Sequence, residues 1–457
     1  MVRQVNGFVG NFTSVADLTN RFPPSEYAGC SANFIINGST SKYWSNGTVW
    51  AGADSATLQS LVSDAGKLSP WPKRSSIHSR IMATFQNAGT ANATPGWTSH
   101  IRVAADADFT HVRLVIPNLE AAAITGCTAI VAATANSTSK ITPTGAWATV
   151  AVAGSSTFTL PARVSASEPS YTVTDWIRLD SIARDDGGTL PLAMARLFIP
   201  VANGTFSTTG GLSAGFDALY PDAMAWQTRQ QIDGVSTPAS FSSTAEGTTV
   251  AFHGMQFRGS YSNATILGVG DSITSGFAGT VQQNNWGWRA VSALRALGYR
   301  VSWANGGHNG QTPTQYLARG KSLAAAIAPQ IVTYSPFSPN DGAPGAAVLA
   351  TQWANTLEFL DWASANRYVP VLTTPCPWDS LTAGQDAFRV TLRDRILALR
   401  DRVDVIDFDA VASNQASPAR WNTGMGDGDK HPIDAGYAAM ATAAQAVFAT
   451  ILARQTA

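Results

Sequence analysis

Hydrophobic and polar positions change rhythm near residue 263. Beyond it, short apolar runs at 266–269, 300–304, 330–334, 369–374 and 403–407 alternate with longer stretches. In those stretches, at 286–297, 313–327, 346–365, 385–400 and 433–452, apolar residues recur every three or four positions. Leu349, Trp353, Leu357 and Leu360 form one such stripe, and Phe388, Leu392, Ile396 and Leu399 another. Short apolar runs predict buried strands, and the longer period predicts amphipathic helices. Pro313 suits a first helical turn. Strict alternation of the two predicts a parallel sheet with helices on both faces. Residues 263–457 are therefore expected to form a three-layer α/β domain with a five-stranded parallel sheet.

The preceding stretch, 69–262, has a different pattern. Runs at 100–106, 110–116, 147–152, 157–160, 175–180 and 195–200 read as strands, with turn residues between them and no helical period. Strands at this density predict a β-sandwich, jelly-roll-like in kind. Residues 1–68 are rich in Gly, Ser, Asn and aromatics. There the Asn46-Gly47 pair, between aromatic-bearing runs, predicts a tight hairpin in a small β module. At 457 residues, a multidomain chain is expected.

Composition narrows the function. Lys plus Arg and Asp plus Glu are 30 each, and charged residues make up only 13%. No basic block appears, so nucleic acid and anionic membranes are not expected partners. A polar surface built from Ser, Thr, Asn and Gln suits secreted or particle-borne proteins and proteins that touch sugars. No apolar run reaches the roughly 18 residues of a membrane span. The first residues lack the apolar core of a signal peptide. Cys30, Cys127 and Cys376 match no metal or redox spacing and read as small buried hydrophobes.

In a parallel sheet, ligands sit beyond the carboxyl ends of the strands. After the first strand comes Gly270-Asp271-Ser272-Ile273-Thr274, a strand-to-helix turn that can present a serine hydroxyl. After the second comes Asn305-Gly306-Gly307-His308-Asn309-Gly310, where glycine lets the backbone approach a ligand. After the third, Ser338-Pro339-Asn340-Asp341 offers an amide donor. Just ahead of the last helix lies Asp427-Gly428-Asp429-Lys430-His431-Pro432.

These four blocks, in this order, resemble the SGNH hydrolase family, also called GDSL esterases. The resemblance covers the last 195 residues or so and implies a flavodoxin-like sheet. It implies Ser272 as nucleophile and His431 as base. Ser272, Gly310 and Asn340 would supply the oxyanion donors. No metal or organic cofactor is implied. Ser338 stands where the family usually has Gly. The family's acid lies three residues before the His, where this chain has Gly428. A one-residue insertion favours Asp427, whereas an extended segment would favour Asp429. Asp271 and His308 are candidates for contact with substrate.

The N-terminal segment, ending in aromatic residues around Asn46-Gly47-Thr48, resembles small modules of bacteriophage tail proteins. That resemblance implies an extracellular or virion-associated protein that forms a homo-oligomer or attaches to a tail. The leading expectation is a serine esterase that deacetylates bacterial polysaccharide. A lipase or aryl esterase on small or lipidic esters, and a non-catalytic carbohydrate-binding adhesin, are the alternatives. Gly211-Leu212-Ser213-Ala214-Gly215 also spells a nucleophile elbow, but it follows a loop-like run rather than a strand. Trp44, Trp50, Trp286 and Trp378 are candidates for sugar stacking.

Overall fold

The computed structural model describes residues 96–135, 141–188, 190–200, 253–280 and 284–454. It also describes short segments at 11–12, 31–36, 39–45, 50–52, 75–81, 85–86, 207–208, 224–228, 235–236 and 238. Cys30, the Asn46-Gly47 turn and the elbow-like run 211–215 lie outside the described residues, as do the side chains of Trp44 and Trp50. The strands on either side of that turn, Ser39–Ser45 and Trp50–Gly52, do pair antiparallel.

The β-rich stretch contributes β1 (Ser75–Ile81), β2 (Trp97–Ala104), β3 (His111–Asn118), β4 (Ile124–Thr134), β5 (Ser170–Val173), β6 (Leu192–Ile199) and β7 (Met224–Thr228). One sheet runs β4-β6-β2-β7, antiparallel throughout. Alternate residues face a shared core, as a two-residue side-chain period requires. Ile101 and Val103 come from β2, Cys127, Ala129 and Val131 from β4, and Ala193, Ala195 and Leu197 from β6. Facing them are Val112, Leu114 and Ile116 of β3 with Met255 and Phe257 of the next strand.

That next strand, β8 (Gly254–Val269), organises the molecule. Its first residues, from Gly254 to Arg258, pair antiparallel with β1 on one side and β3 on the other. Its last residues, from Ala264 to Val269, pair parallel with β9 (Val301–Asn305) and β10 (Ile331–Tyr334). The expected boundary between residues 262 and 263 thus falls inside one 16-residue strand. β11 (Val369–Thr373) and β12 (Asp404–Ile406) extend the parallel part, giving the order β9-β8-β10-β11-β12.

Helices cover both faces of this part. α1 (Ser272–Ser275) follows β8, and α2 (Trp286–Ala296) precedes β9. α3 (Pro313–Ile327), α4 (Ala346–Ala365), α5 (Ala383–Leu397), α6 (Phe408–Ala412) and α7 (Asp434–Ala453) complete the set. Tyr316, Leu323, Trp353 and Leu392 of α3 to α5 pack with Leu267, Val332 and Leu372. On the opposite face Leu294, Met440 and Phe448 of α2 and α7 pack with Ile266, Ile331 and Val371. Trp286 lies in this second core, edge-on to Trp303 at 5.0 Å and to Phe408 at 5.1 Å, so it anchors packing and offers no face to a sugar.

α7 differs from expectation in one respect. Its Ala-rich sequence is long and apolar enough to cross a membrane by length and composition, with mean hydropathy 1.4. Tyr437, Met440, Ala444, Phe448 and Ile451 are nevertheless buried against the sheet and α2, as in a core helix.

The β-rich and α/β parts are also joined by charge. The buried Asp106 carboxylate, after β2, pairs with Arg80 of β1 at 2.9 Å and with Arg295 of α2 at 2.5 Å. The Arg80 guanidinium lies 4.1 Å over the Trp288 ring.

Candidate active site

Four loops meet at the carboxyl edge of the parallel strands. The first is the turn from β8 into α1. Asp271 caps this short helix, with Oδ1 accepting from the Ile273 N–H at 2.9 Å. Gly276, at φ 101°, ends it in the left-handed region. Ser272 therefore sits at a helix start directly beyond the strand. Asp271 is only 1% exposed, and its second oxygen accepts from the Ser338 hydroxyl at 2.6 Å. Burial raises its carboxyl pKa against the lowering effect of those hydrogen bonds. With both oxygens engaged inside the protein, Asp271 tethers the nucleophile turn to the loop that carries Ser338.

The second loop leaves β9 and passes against the first. A Cβ at Gly307 would lie 2.4 Å from the Ser275 backbone nitrogen, so only glycine permits this approach. His308 is 5% exposed, and its Nδ1 lies 2.9 Å from the Asn309 carbonyl. Burial, reinforced by the Arg319 charge, holds its pKa well below the usual histidine value. The ring is thus held buried and uncharged against the second loop.

Within the fourth loop His431 and Asp427, the residues expected as base and acid, are paired. The Ser272 Oγ lies 3.0 Å from His431 Nε2. His431 Nδ1 lies 3.2 Å from Asp427 Oδ2, which makes Nδ1 the protonated nitrogen and leaves Nε2 to accept the serine proton. Asp427 Oδ1 accepts from the backbone N–H groups of Asp429 at 2.9 Å and His431 at 3.1 Å. The Asp427 N–H in turn donates to the His431 carbonyl at 2.9 Å, closing the loop. Burial pulls the Asp427 carboxyl upward, but these hydrogen bonds outweigh it and hold it below the usual carboxylate range.

Gly428 explains how the extra residue is absorbed. At φ 89° it takes a conformation that disfavours side chains, and the loop curls so that Asp427 and His431 meet. Asp429 is turned away. It accepts from Trp378 Nε1 and from the Ser380 hydroxyl, each at 2.8 Å, and its carbonyl accepts from the Asp379 N–H at 2.8 Å. Asp429 therefore ties the loop to the β11–α5 connection, and Trp378 is engaged in that tie.

The third loop carries Asn340. Its Nδ2 donates to the Gln311 carbonyl at 2.9 Å, which brings the amide beside the loop that contains Gly310. Its second amide hydrogen is free to meet a ligand. Among the described hydrogen bonds, neither the Ser272 nor the Gly310 backbone N–H donates to a backbone acceptor. Ser338, the departure from the family pattern, is fully buried; besides donating to Asp271 it accepts from the Asn340 N–H at 3.2 Å. Nothing in sequence pointed to that role, because the partners lie 67 residues apart.

The β-rich part also reaches this edge. Gln311 Nε2 donates to the Ser167 carbonyl at 2.8 Å, and the Ser322 hydroxyl donates to the Glu168 carboxylate. Among the described residues, no group of three or more His, Cys, Asp or Glu side chains could hold a metal ion. Cys127 and Cys376 are buried and unpaired; burial pushes the Cys127 thiol up to about 12 and raises that of Cys376 as well.

Residues 269–439 match the model of the GDSL-like Lipase/Acylhydrolase family. This region is a GDSL-like hydrolase domain. The GDSL-like domain includes Ser272, Gly310, Asn340, Asp427 and His431. On that match the protein is a carboxylic ester hydrolase. Similar solved structures include the lipase/acylhydrolase from Enterococcus faecalis, at 21% identity over 42% of this chain and 96% of that one, with a TM-score of 0.35. A family 3 carbohydrate esterase from Clostridium thermocellum is 15% identical over 43% of this chain and 100% of that one, with a TM-score of 0.34. The psychrotrophic esterase EstA from Pseudoalteromonas is 16% identical over 42% of this chain and 100% of that one, also at 0.34. None of the curated proteins compared with the chain matches it.

Proposed function

We propose that the protein is a serine esterase that removes O-acetyl groups from bacterial polysaccharide through an acyl-enzyme. The observation that carries the mechanism is the contact chain from Ser272 Oγ to His431 Nε2 at 3.0 Å and from His431 Nδ1 to Asp427 Oδ2 at 3.2 Å. In this reading His431 Nε2 takes the Ser272 proton as Oγ attacks the ester carbonyl. The tetrahedral oxyanion is held by the N–H groups of Ser272 and Gly310 and by the Asn340 amide. Its collapse breaks the bond to the alcohol oxygen, which leaves with the proton from His431. Water then attacks the acyl-enzyme, giving its proton to His431, and Ser272 is regenerated as acetate departs. Asp427 keeps the imidazole in the tautomer this cycle needs and offsets the positive charge that forms on it.

The polysaccharide assignment draws on the low charged content of 13%, on the adjoining β-rich part, and on the resemblance of the N-terminal segment to tail modules. We read the β-rich part as a sandwich that supports the catalytic edge, and the protein as extracellular or virion-associated. The test is acetate release across a panel of acetylated polysaccharides, with Ser272→Ala as the control. Release that persists in Ser272→Ala, or a preference for long-chain acyl esters over every polysaccharide, would overturn the assignment. Absence of Ser272 labelling by a fluorophosphonate would instead favour an adhesin.

A further inference from the structure

Among the described residues, three large apolar side chains are exposed: Val164, Phe277 and Leu297. Phe277 alone of these sits on the catalytic base. The residue is 45% exposed, and its ring centroid lies 4.7 Å from that of the His431 imidazole, with the planes inclined at 54°. Its backbone is held at both polar groups. The Phe277 N–H donates to the Ser272 carbonyl at 2.9 Å, and its carbonyl accepts from the buried Tyr437 hydroxyl at 2.8 Å. The left-handed Gly276 directs the chain out of the nucleophile turn at this point. An exposed apolar side chain on a backbone held at both polar groups is available to pack against a ligand.

The chemistry says which part of the ligand that is. In an ester hydrolysis by serine and histidine, the imidazole that accepts the serine proton must next deliver it to the leaving oxygen. The alcohol portion of the ester therefore passes beside His431. The acyl portion lies with the oxyanion donors. A ring packed on His431 flanks the alcohol and not the acyl group.

We infer that Phe277 is a specificity-determining residue that selects esters whose alcohol presents a flat apolar ring face, such as the C–H face of a pyranose. This inference rests on the Ser272–His431 reading and deepens it. The ring adds nothing to the bond-making steps; it orients the alcohol so that its oxygen meets Nε2.

The experiment compares kcat/KM for a methyl 6-O-acetyl hexoside and for ethyl acetate. Both release a primary alcohol, so the bond broken is alike and only the ring differs. The parent is expected to favour the hexoside. In Phe277→Ala the hexoside-to-ethyl ratio should fall about tenfold, the size expected for loss of one aromatic contact. Phe277→Tyr and Phe277→Trp should keep the ratio within about threefold of the parent. The acetate-to-butyrate ratio, measured on ethyl esters, should not follow the alcohol ratio. Equal losses on hexoside and ethyl ester in Phe277→Ala would reduce Phe277 to a packing role and overturn the inference, as would a parent with no preference or a change confined to acyl length. A protein that hydrolyses these small esters yet releases no acetate from polysaccharide would lose the substrate assignment above and keep this one.

Discussion

The Ser338 hydroxyl donates to the Asp271 carboxylate at 2.6 Å, and this one bond joins the loop that carries the nucleophile to the loop that carries Asn340. Both groups are buried. Ser338 also receives the Asn340 N–H, so the position of the amide and that of the nucleophile turn are set by the same pair.

Removing the hydroxyl leaves a buried carboxylate oxygen without its donor. Ser338→Ala should lower the unfolding free energy by about 1–3 kcal/mol, the usual cost of an unmet buried polar group. Ser338→Gly should cost no less, because the donor is lost there too. Urea denaturation of the two variants beside the parent gives the comparison; unchanged midpoints would mean that water replaces the hydroxyl.

Asp427 and Asp429 lie two residues apart but serve different partners. Asp427→Asn removes the acceptor that fixes the His431 tautomer, so kcat should fall by about 10²–10⁴. Asp429→Asn keeps oxygen toward Trp378 and Ser380 and touches no group of the base. Its kcat should stay within about tenfold of the parent, since only loop placement is disturbed. Steady-state kinetics on a small acetyl ester separate the two, and equal losses would contradict the geometry.

Gly307 is a steric requirement of the site. A Cβ there would lie 2.4 Å from the Ser275 nitrogen and 2.8 Å from the Thr274 carbonyl carbon, both backbone atoms that cannot swing aside. Gly307→Ala should displace the nucleophile turn and slow fluorophosphonate labelling of Ser272 by about a hundredfold, as a displacement near 1 Å does. Circular dichroism should show the secondary structure retained. Labelling at the parental rate would mean that the two loops separate without moving Ser272.

A fourth expectation concerns pH and the joint between the two parts. His78 of β1 is buried, stacks on Phe257 at 5.2 Å, and accepts the Asp106 N–H on Nε2 at 3.1 Å. Burial lowers its pKa from 6.5 to about 4, with the Asp106 charge opposing. Below pH 6.5 the unfolded chain takes up a proton that the folded chain refuses. Stability is therefore full above that pH and is lost as pH falls toward about 4, by about 3 kcal/mol in all. His78→Gln keeps an acceptor for the Asp106 N–H and cannot titrate. Chemical denaturation at a series of pH values should show a flatter acid slope in the variant; parallel slopes would rule His78 out as the group responsible.

Much of the α/β part was legible because its signals are local. Helices at Pro313–Ile327 and Ala346–Ala365 fall where the three-to-four period put them, since one apolar stripe per helix meets one face of the sheet. The 11-residue strand Ile124–Thr134 was not legible. Its Gly126 and its Ala residues have little strand preference of their own, and pairing with β6 supplies what they lack. The antiparallel half of β8 was missed for a related reason, because a boundary was expected where one strand in fact crosses between two kinds of pairing.

From the linear chain one could read the order of strands and helices, the four loops, and the residue types they carry, because each follows from spacing within a few residues. Which carboxylate meets His431, what Ser338 does, and where Asp271, His308 and Phe277 face depended on contacts between segments that spacing cannot express. Asp427 meets His431 because Gly428 adopts a left-handed turn and because Asp429 is drawn off by Trp378, 51 residues away. Ser338 finds Asp271 only when β8 and β10 lie side by side. Those outcomes belong to packing, where burial and a limited set of hydrogen-bond partners leave each polar group one place to go.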